Sequence, residues 1–213
     1  MGITADQLKA SLDTLARMEP AFKSALQRIG YPEPRIRERG YDTMLRAIVG
    51  QQVSIKAAAA ILARVEVATG GTGDPANVVR TSDEDLRAAG LSRQKIAYVK
   101  SLADDVLFGR LDFEALPDDD EEAIAAMTHV KGIGRWSAEV YLLFAEGRPD
   151  IFPAGDLAVQ VEIGRILGLA ERPSERVTRA LADAWRPHRG AAAIFAWHHY
   201  GTRLRAKAGK APV

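Results

Sequence analysis

The run HVKGIGRWSAEVYLLFAEGRPDIFPAGDLAVQ, from His129 to Gln160, concentrates the residue types that could do chemistry. Asp156 follows a Pro-Ala-Gly turn and stands directly before the apolar run LAVQVEIGRILG. A carboxylate in that place caps a helix by accepting from its first unpaired amides. Held ionised by the helix dipole, it also suits stabilisation of a developing cation, as in glycosidic bond cleavage. The two readings are compatible. Ordinary sugar hydrolysis uses a second carboxylate to protonate the leaving group, so one aspartate suffices only when the leaving group departs unaided.

Upstream, Val130-Lys131-Gly132-Ile133-Gly134 joins two helical stretches and reads as a tight helix–hairpin–helix. Gly132 can take the left-handed conformation that ends the first helix, and Gly134 leaves its backbone open to a ligand. Amides at the start of the second helix, flanked by Lys131 and Arg135, would form a phosphate site. The alternative is a plain helical hairpin whose glycines only make the turn. GIGRWS lacks the third glycine of a dinucleotide-binding turn and follows a helix, so that reading fails.

Trp136 and Trp197 are either core residues or the two faces of a stacking box for a flat, positively charged guest. Trp185, in AWRPHRG, reads as structural. Gly50-Gln51-Gln52-Val53-Ser54 interrupts two helices, as a polar turn or as a wedge that enters a duplex and fills the hole left by an extruded base. His198 and His199 are adjacent and so lie on different helix faces, while His129 and His188 read as surface or capping residues. HExxH spacing, a Walker A loop and a recognisable Ser/His/Asp set are missing.

The elements that must position these residues are helical. Apolar residues recur three and four apart almost throughout, without a convincing run of two-residue alternation. This predicts an all-α fold with helices over about 5–17, 20–29, 41–51, 54–69, 83–89, 93–109, 119–129, 135–146, 157–167, 174–185 and 190–207. Thr81-Ser82-Asp83-Glu84 fits a capping box, and Ser92 and Ser174 fit N-caps. Turns fall at 30–34, 70–75, 116–117 and 186–187. Two lobes are expected, about 41–135 and 1–40 plus 136–213, with an active-site cleft between them. The basic tail RLRAKAGKAPV is expected to fray.

With 213 residues, 47% of them hydrophobic, the chain can bury a sizeable core. The absence of cysteine excludes disulfides, thiol catalysis and thiolate-held iron–sulfur clusters. A net charge of +1 means that nucleic-acid contact must come from local clusters. The N-terminus lacks the layout of a signal peptide and the chain lacks a membrane-length apolar run, which leads to an expectation of a cytosolic protein.

VKGIGRWSAEVYLLF followed by DIFPAGDLAVQ resembles the helix–hairpin–helix (HhH-GPD) DNA glycosylases, and among them the DNA-3-methyladenine glycosylase II (AlkA-like) branch. AIVGQQVSIKAAAAILARV, GLSRQKIAYVKSLA and WRPHRGAAAIFAWHHYG extend the similarity over most of residues 41–201. The resemblance implies a repair enzyme that flips alkylated purines of the 3-methyladenine and 7-methylguanine type from double-stranded DNA and hydrolyses the N-glycosidic bond. In that frame Asp156 is the catalytic carboxylate, and Val130, Lys131, Gly132, Ile133, Gly134 and Arg135 grip phosphate. A sodium or potassium ion at the carbonyls of Val130 and Ile133 would assist the grip. Trp136, Trp197 and Tyr141 are assigned to the substrate pocket, and Gln51 and Gln52 to the wedge, with Gln52 as the inserted side chain.

Bifunctional relatives carry a nucleophilic Lys where this chain has Trp136, so the resemblance implies a monofunctional enzyme without cofactor or strand-nicking activity. A pocket aromatic placed four residues after that Trp in some members is Val140 here, with Tyr141 turned about 100° around the helix. The chain resembles the compact form without the N-terminal β-rich domain, expected as a monomer and nucleoid-associated if bacterial. The competing readings are a non-catalytic helix–hairpin–helix DNA-binding protein and a glycosylase for oxidised or deaminated bases.

Overall fold

A computed structural model describes residues 2–209, and among these every regular element is helical. The helices are α1 (Ala5–Met18), α2 (Pro20–Ile29), α3 (Tyr41–Val49), α4 (Ile55–Thr69), α5 (Pro75–Arg80), α6 (Asp83–Ala88), α7 (Arg93–Leu107), α8 (Asp120–Thr128), α9 (Arg135–Tyr141), α10 (Leu157–Ile166), α11 (Glu175–Ala182) and α12 (Arg189–Ala208). A π-helical segment, Leu142–Glu146, follows α9, and a 3₁₀ turn, Asp183–Trp185, follows α11. No described helix is long and apolar enough to cross a membrane.

The chain divides into two compact units, one formed by Met1–Ile36 with Leu142–Val213 and the other by Arg37–Tyr141. In the first, Leu8, Leu12 and Leu15 form one face of α1 and are at most 1% exposed. Burial of each is worth roughly 1.5–3 kcal/mol, which is what turns a short amphipathic segment into a stable helix. Phe22 and Phe195 continue this core, and Trp185 stands edge-on to Phe22 with 5.1 Å between ring centroids. The structural role read for Trp185 is thus observed, at 3% exposure.

The second unit is built around α7, which packs against α3, α5 and α6. Met44, Leu45, Ile48, Leu86 and Leu102 are fully buried there. Helix α5 was not expected from the sequence, because Pro75 reads as the end of a turn. It is instead the first residue of a helix capped by Asp74, whose side chain accepts from Ala76 N. Proline suits that position, since its missing N–H would have had no partner. The neighbouring cap shifts by one residue as a result. Ser82 rather than Thr81 caps α6, accepting from Asp85 N, while the Thr81 hydroxyl donates back to Asn77 O at the end of α5. Ser92 and Ser174 cap α7 and α11 as expected.

The segment expected as one helix over 135–146 changes to π geometry at Leu142, directly after α9. Such bulges interrupt the regular ladder and are frequent near functional sites. At the far end, residues 203–208 continue α12, and 210–213 of the basic tail lie outside the described residues.

Candidate active site and nucleic-acid interface

In the unit Arg37–Tyr141, the hairpin and the Gln-Gln turn face one cleft of about 840 Å³ whose lining includes Gln51, Gln52, Gly134, Trp136, Val140 and Tyr141. The two hairpin glycines differ in kind. Gly132 has φ +96°, and a Cβ there would stand 2.3 Å from Cγ of the Tyr98 ring. No other residue fits. Gly134 has open space around it, so its backbone can be approached from solvent. Val130 and Ile133 are buried, at 2% and 4% exposure, and anchor the hairpin from below. Val130 O accepts from Ile133 N at 3.1 Å, a bond that uses one of the two lone pairs of the carbonyl. The donor set offered by Val130 and Ile133, neutral backbone oxygens, fits a hard cation.

Lys131 is exposed. The Arg135 guanidinium, by contrast, is engaged with carboxylates: Nη1 reaches Glu121 Oε2 at 2.8 Å and Nε reaches Glu139 Oε1 at 2.9 Å. The hydrogen bonds it donates to Glu121 and Glu139 hold its pKa above the usual guanidinium value, although burial opposes them. Of the two cations read as flanking the hairpin, Arg135 therefore has its charge compensated within the unit.

The turn after α3 separates Gln51 from Gln52. Gln51 is half-buried and its Nε2 donates to Gly132 O at 3.1 Å. Gln52 is exposed and has φ +56°, the one positive φ outside glycine among the described residues. A non-glycine residue held there costs about 1 kcal/mol and persists only where the surroundings enforce it. Trp136 is 46% exposed at the start of α9. Val140, one turn on, is half-exposed in the cleft wall, whereas Tyr141 is 3% exposed and accepts from Gly40 N at 2.7 Å through its hydroxyl. Its ring lies 5.1 Å from that of Phe113. Tyr141 thus borders the cleft mainly as a structural wall.

In the unit Met1–Ile36 with Leu142–Val213, Asp156 is the N-cap of α10 and its Oδ1 accepts from Val159 N at 3.0 Å. The loop leading to it is fixed. Ile151, Phe152 and Ala154 are at most 2% exposed, and Gln160 Nε2 donates to Ala154 O at 2.8 Å. Further back, Arg189, 8% exposed, grips Asp150 through Nε and Nη2, each at 2.9 Å. Such a two-pronged pair fixes direction as well as distance. Trp197, on α12, is half-buried with its ring 5.5 Å from that of Phe144. Helices α10 and α12 are joined by fully buried Glu162, which pairs with His199 Nδ1 at 2.6 Å and Arg203 Nη2 at 2.6 Å. That pairing is beyond local reading, since 37 and 41 residues separate the partners.

The histidines hold no metal-ligand cluster. His129 is the exposed C-cap of α8, His188 meets Ser11 Oγ, and His198 meets Ile29 O. Among the described residues no group of three or more potential ligands gathers.

Within the unit Arg37–Tyr141, a helical hairpin with an open glycine beside a cleft that bears an exposed aromatic suits contact with a nucleic acid. The sequence matches the family described as HhH-GPD superfamily base excision DNA repair protein over residues 45–187, and the chain belongs to that family. It is 30% identical over 190 residues to DNA-3-methyladenine glycosylase 1 of Schizosaccharomyces pombe, covering 86% of this chain and 83% of that one. Its fold is similar to the crystal structure of a DNA-3-methyladenine glycosidase from Bacillus halodurans, with TM-score 0.81 and 32% identity over 92% of this chain and 91% of the other. It is also similar to the Schizosaccharomyces pombe 3-methyladenine DNA glycosylase in complex with abasic DNA, with TM-score 0.77 and 29% identity over 92% and 97% of the two chains.

Proposed function

We propose that this protein is a monofunctional DNA-3-methyladenine glycosylase, which excises alkylated purines from duplex DNA and leaves an abasic site. The observation that carries this reading is Trp136, half-exposed in the cleft directly after the hairpin, at the place where the resemblance puts a nucleophilic lysine in strand-nicking relatives. Methylation at N3 or N7 puts positive charge on a purine, and the electron-rich face of Trp136 attracts such a guest by about 0.5–2 kcal/mol. The same charge makes the base a good leaving group, so no general acid is required.

In the reaction, the C1′–N bond breaks and its electron pair departs with the base, neutralising it. The sugar becomes oxocarbenium-like, and the Asp156 carboxylate stabilises that charge. Water adds at C1′ and passes a proton to bulk solvent, which leaves a neutral sugar. The Val159 N bond fixes one carboxylate oxygen, so the group is held before the charge develops. Gln52 fills the space vacated by the base, and the backbone around Gly134 with Lys131 meets phosphate. Carbonyls of Val130 and Ile133 would hold a monovalent cation, which supplies further positive charge against that phosphate. Such an enzyme acts as a monomer.

The test is release of free base from dimethyl-sulfate-treated duplex DNA, with strand breaks assayed before and after alkali. Free 3-methyladenine with breaks only after alkali is the expected result. Breaks before alkali would overturn the monofunctional assignment. DNA binding with no base released from alkylated, deaminated or oxidised DNA would reduce the protein to a binding module.

A further inference from the structure

Gln52 is exposed and left-handed, and on local grounds alone that conformation should relax, because a side chain with a Cβ is strained there. Two bonds from outside the turn oppose this. Lys95 Nζ donates to Val49 O at 2.7 Å, taking one of the carbonyls that the end of α3 leaves unpaired. Gln51 Nε2 donates to Gly132 O at 3.1 Å, so the residue next to the strained one is tied to the hairpin 81 positions away. The turn is fixed on both sides of Gly50.

Both ties lead to one face of α7. Lys95 rises from it directly, and three residues on, the Tyr98 ring fills the space beneath Gly132 that a Cβ would occupy. Gln94, one turn before Tyr98, donates to the Tyr98 hydroxyl and steadies that ring. Residues 94, 95 and 98 are near neighbours on one side of a helix, by the three- and four-residue spacing. Burial lowers the pKa of Lys95, whose ammonium is partly removed from water where it meets Val49 O. Hairpin and turn thus rest on the same support and touch each other through Gln51.

We propose that Gln51 is a positioning residue: its bond to Gly132 O, backed by Lys95 on Val49 O, holds Gln52 in the left-handed conformation required for insertion and couples that insertion to the phosphate-gripping hairpin. This rests on the reading of Gln52 as the inserted side chain. It assigns the neighbouring amides separate tasks. Gln52 enters the duplex, and Gln51 remains with the protein. Without the tie the turn samples other conformations, and the insertion-competent population falls by the free energy of a hydrogen bond, about fivefold.

The chemistry of the tie gives it a signature. Gly132 O only accepts, so its partner must donate. Glutamate at position 51 has the size of glutamine but accepts only when ionised; once protonated it gains an O–H donor. Facing a carbonyl, its carboxyl is expected to titrate above the ordinary value of about 4.3. Gln51→Glu should therefore fail at pH 8 and recover towards pH 5. Gln51→Met, of similar length, should fail at both. A role confined to fold stability would change the melting temperature without producing this pH dependence in a folded protein.

The experiment uses the full chain and a duplex carrying 2-aminopurine beside a tetrahydrofuran abasic-site analogue. Fluorescence gain is read at saturating protein, at pH 5 and pH 8, below the melting temperature of every variant. The expected result is a severalfold smaller gain for Gln52→Ala and for Gln51→Met at both pH values, and for Gln51→Glu at pH 8 only. If Gln52→Ala loses the gain while Gln51→Met and Gln51→Glu keep it at both pH values, the positioning role is overturned and the wedge reading stands. If Gln51→Glu fails equally at both pH values, the donated bond is not the cause and the proposal also falls. If Gln52→Ala itself keeps the full gain, the wedge reading fails and the positioning role fails with it.

Discussion

Asp156 carries two tasks that a substitution can separate. As the cap of α10 it needs only an acceptor for Val159 N, and asparagine supplies one. As a stabiliser of positive charge it needs ionisation, which asparagine cannot supply. Asp156→Asn is therefore expected to change stability by less than about 0.5 kcal/mol, since both residues cap well, while removing turnover and leaving DNA binding largely intact. Asp156→Ala should lose turnover and also about 1 kcal/mol of stability. Base release and thermal melting on the same preparations check both. Turnover by the asparagine variant equal to wild type would leave Asp156 as a cap only. Trp136 can be tested in the same way. Trp136→Phe keeps a weaker aromatic face and should lose less excision of cationic bases than Trp136→Ala, whereas equal losses would show that an aromatic face does not hold the base.

At the scale of elements, the hairpin glycines make opposite predictions from neighbouring positions. Gly132→Ala meets the Tyr98 ring and keeps a positive φ, so it should destabilise the protein by about 2 kcal/mol or more. Gly134→Asp has open space and should fold normally, but it places charge and bulk against phosphate and should weaken binding to all sequences alike. Melting and binding measured on both variants distinguish shape from contact. Unchanged affinity in Gly134→Asp would remove the hairpin from the DNA interface.

That the hairpin exists was legible in VKGIGRW, since glycine, a helix start and apolar spacing are local signals. What lies under it was not. Tyr98 is 34 residues from Gly132 in the sequence, and Gln51 meets its carbonyl across 81. Local reading also failed where one residue served two neighbours. With α5 unseen, Thr81 reads as the start of a helix, when its hydroxyl closes the preceding one. Asp156 shows the opposite case, for its cap role follows from sequence while the part-buried Asp150–Arg189 pair that steadies its loop does not.

For the whole molecule the question is how a chain of net charge +1 holds a polyanion. Several of its 21 arginines are compensated internally. Arg46 pairs with Asp42 and Glu66, Arg110 with Asp105, Arg189 with Asp150, and Arg203 with Glu162. Arg135 belongs with them, held by Glu121 and by Glu139, which is 2% exposed. Among the hairpin's own cations this leaves Lys131, and an affinity resting on it and on backbone amides predicts a shallow salt dependence. A slope of log K against log salt of about −2 to −4 would correspond to a few phosphates neutralised. Lys131→Ala should reduce that slope by about 1 whatever the sequence, because a lost phosphate contact carries no base information. Arg135→Ala should do the reverse, costing roughly 1–3 kcal/mol of stability by taking a charged partner from buried Glu139 while leaving the slope unchanged. Salt titrations and melting on the two variants decide the matter: a slope that follows Arg135 and ignores Lys131 would exchange the assignments, with the Glu121 and Glu139 pairs giving way to phosphate when DNA binds.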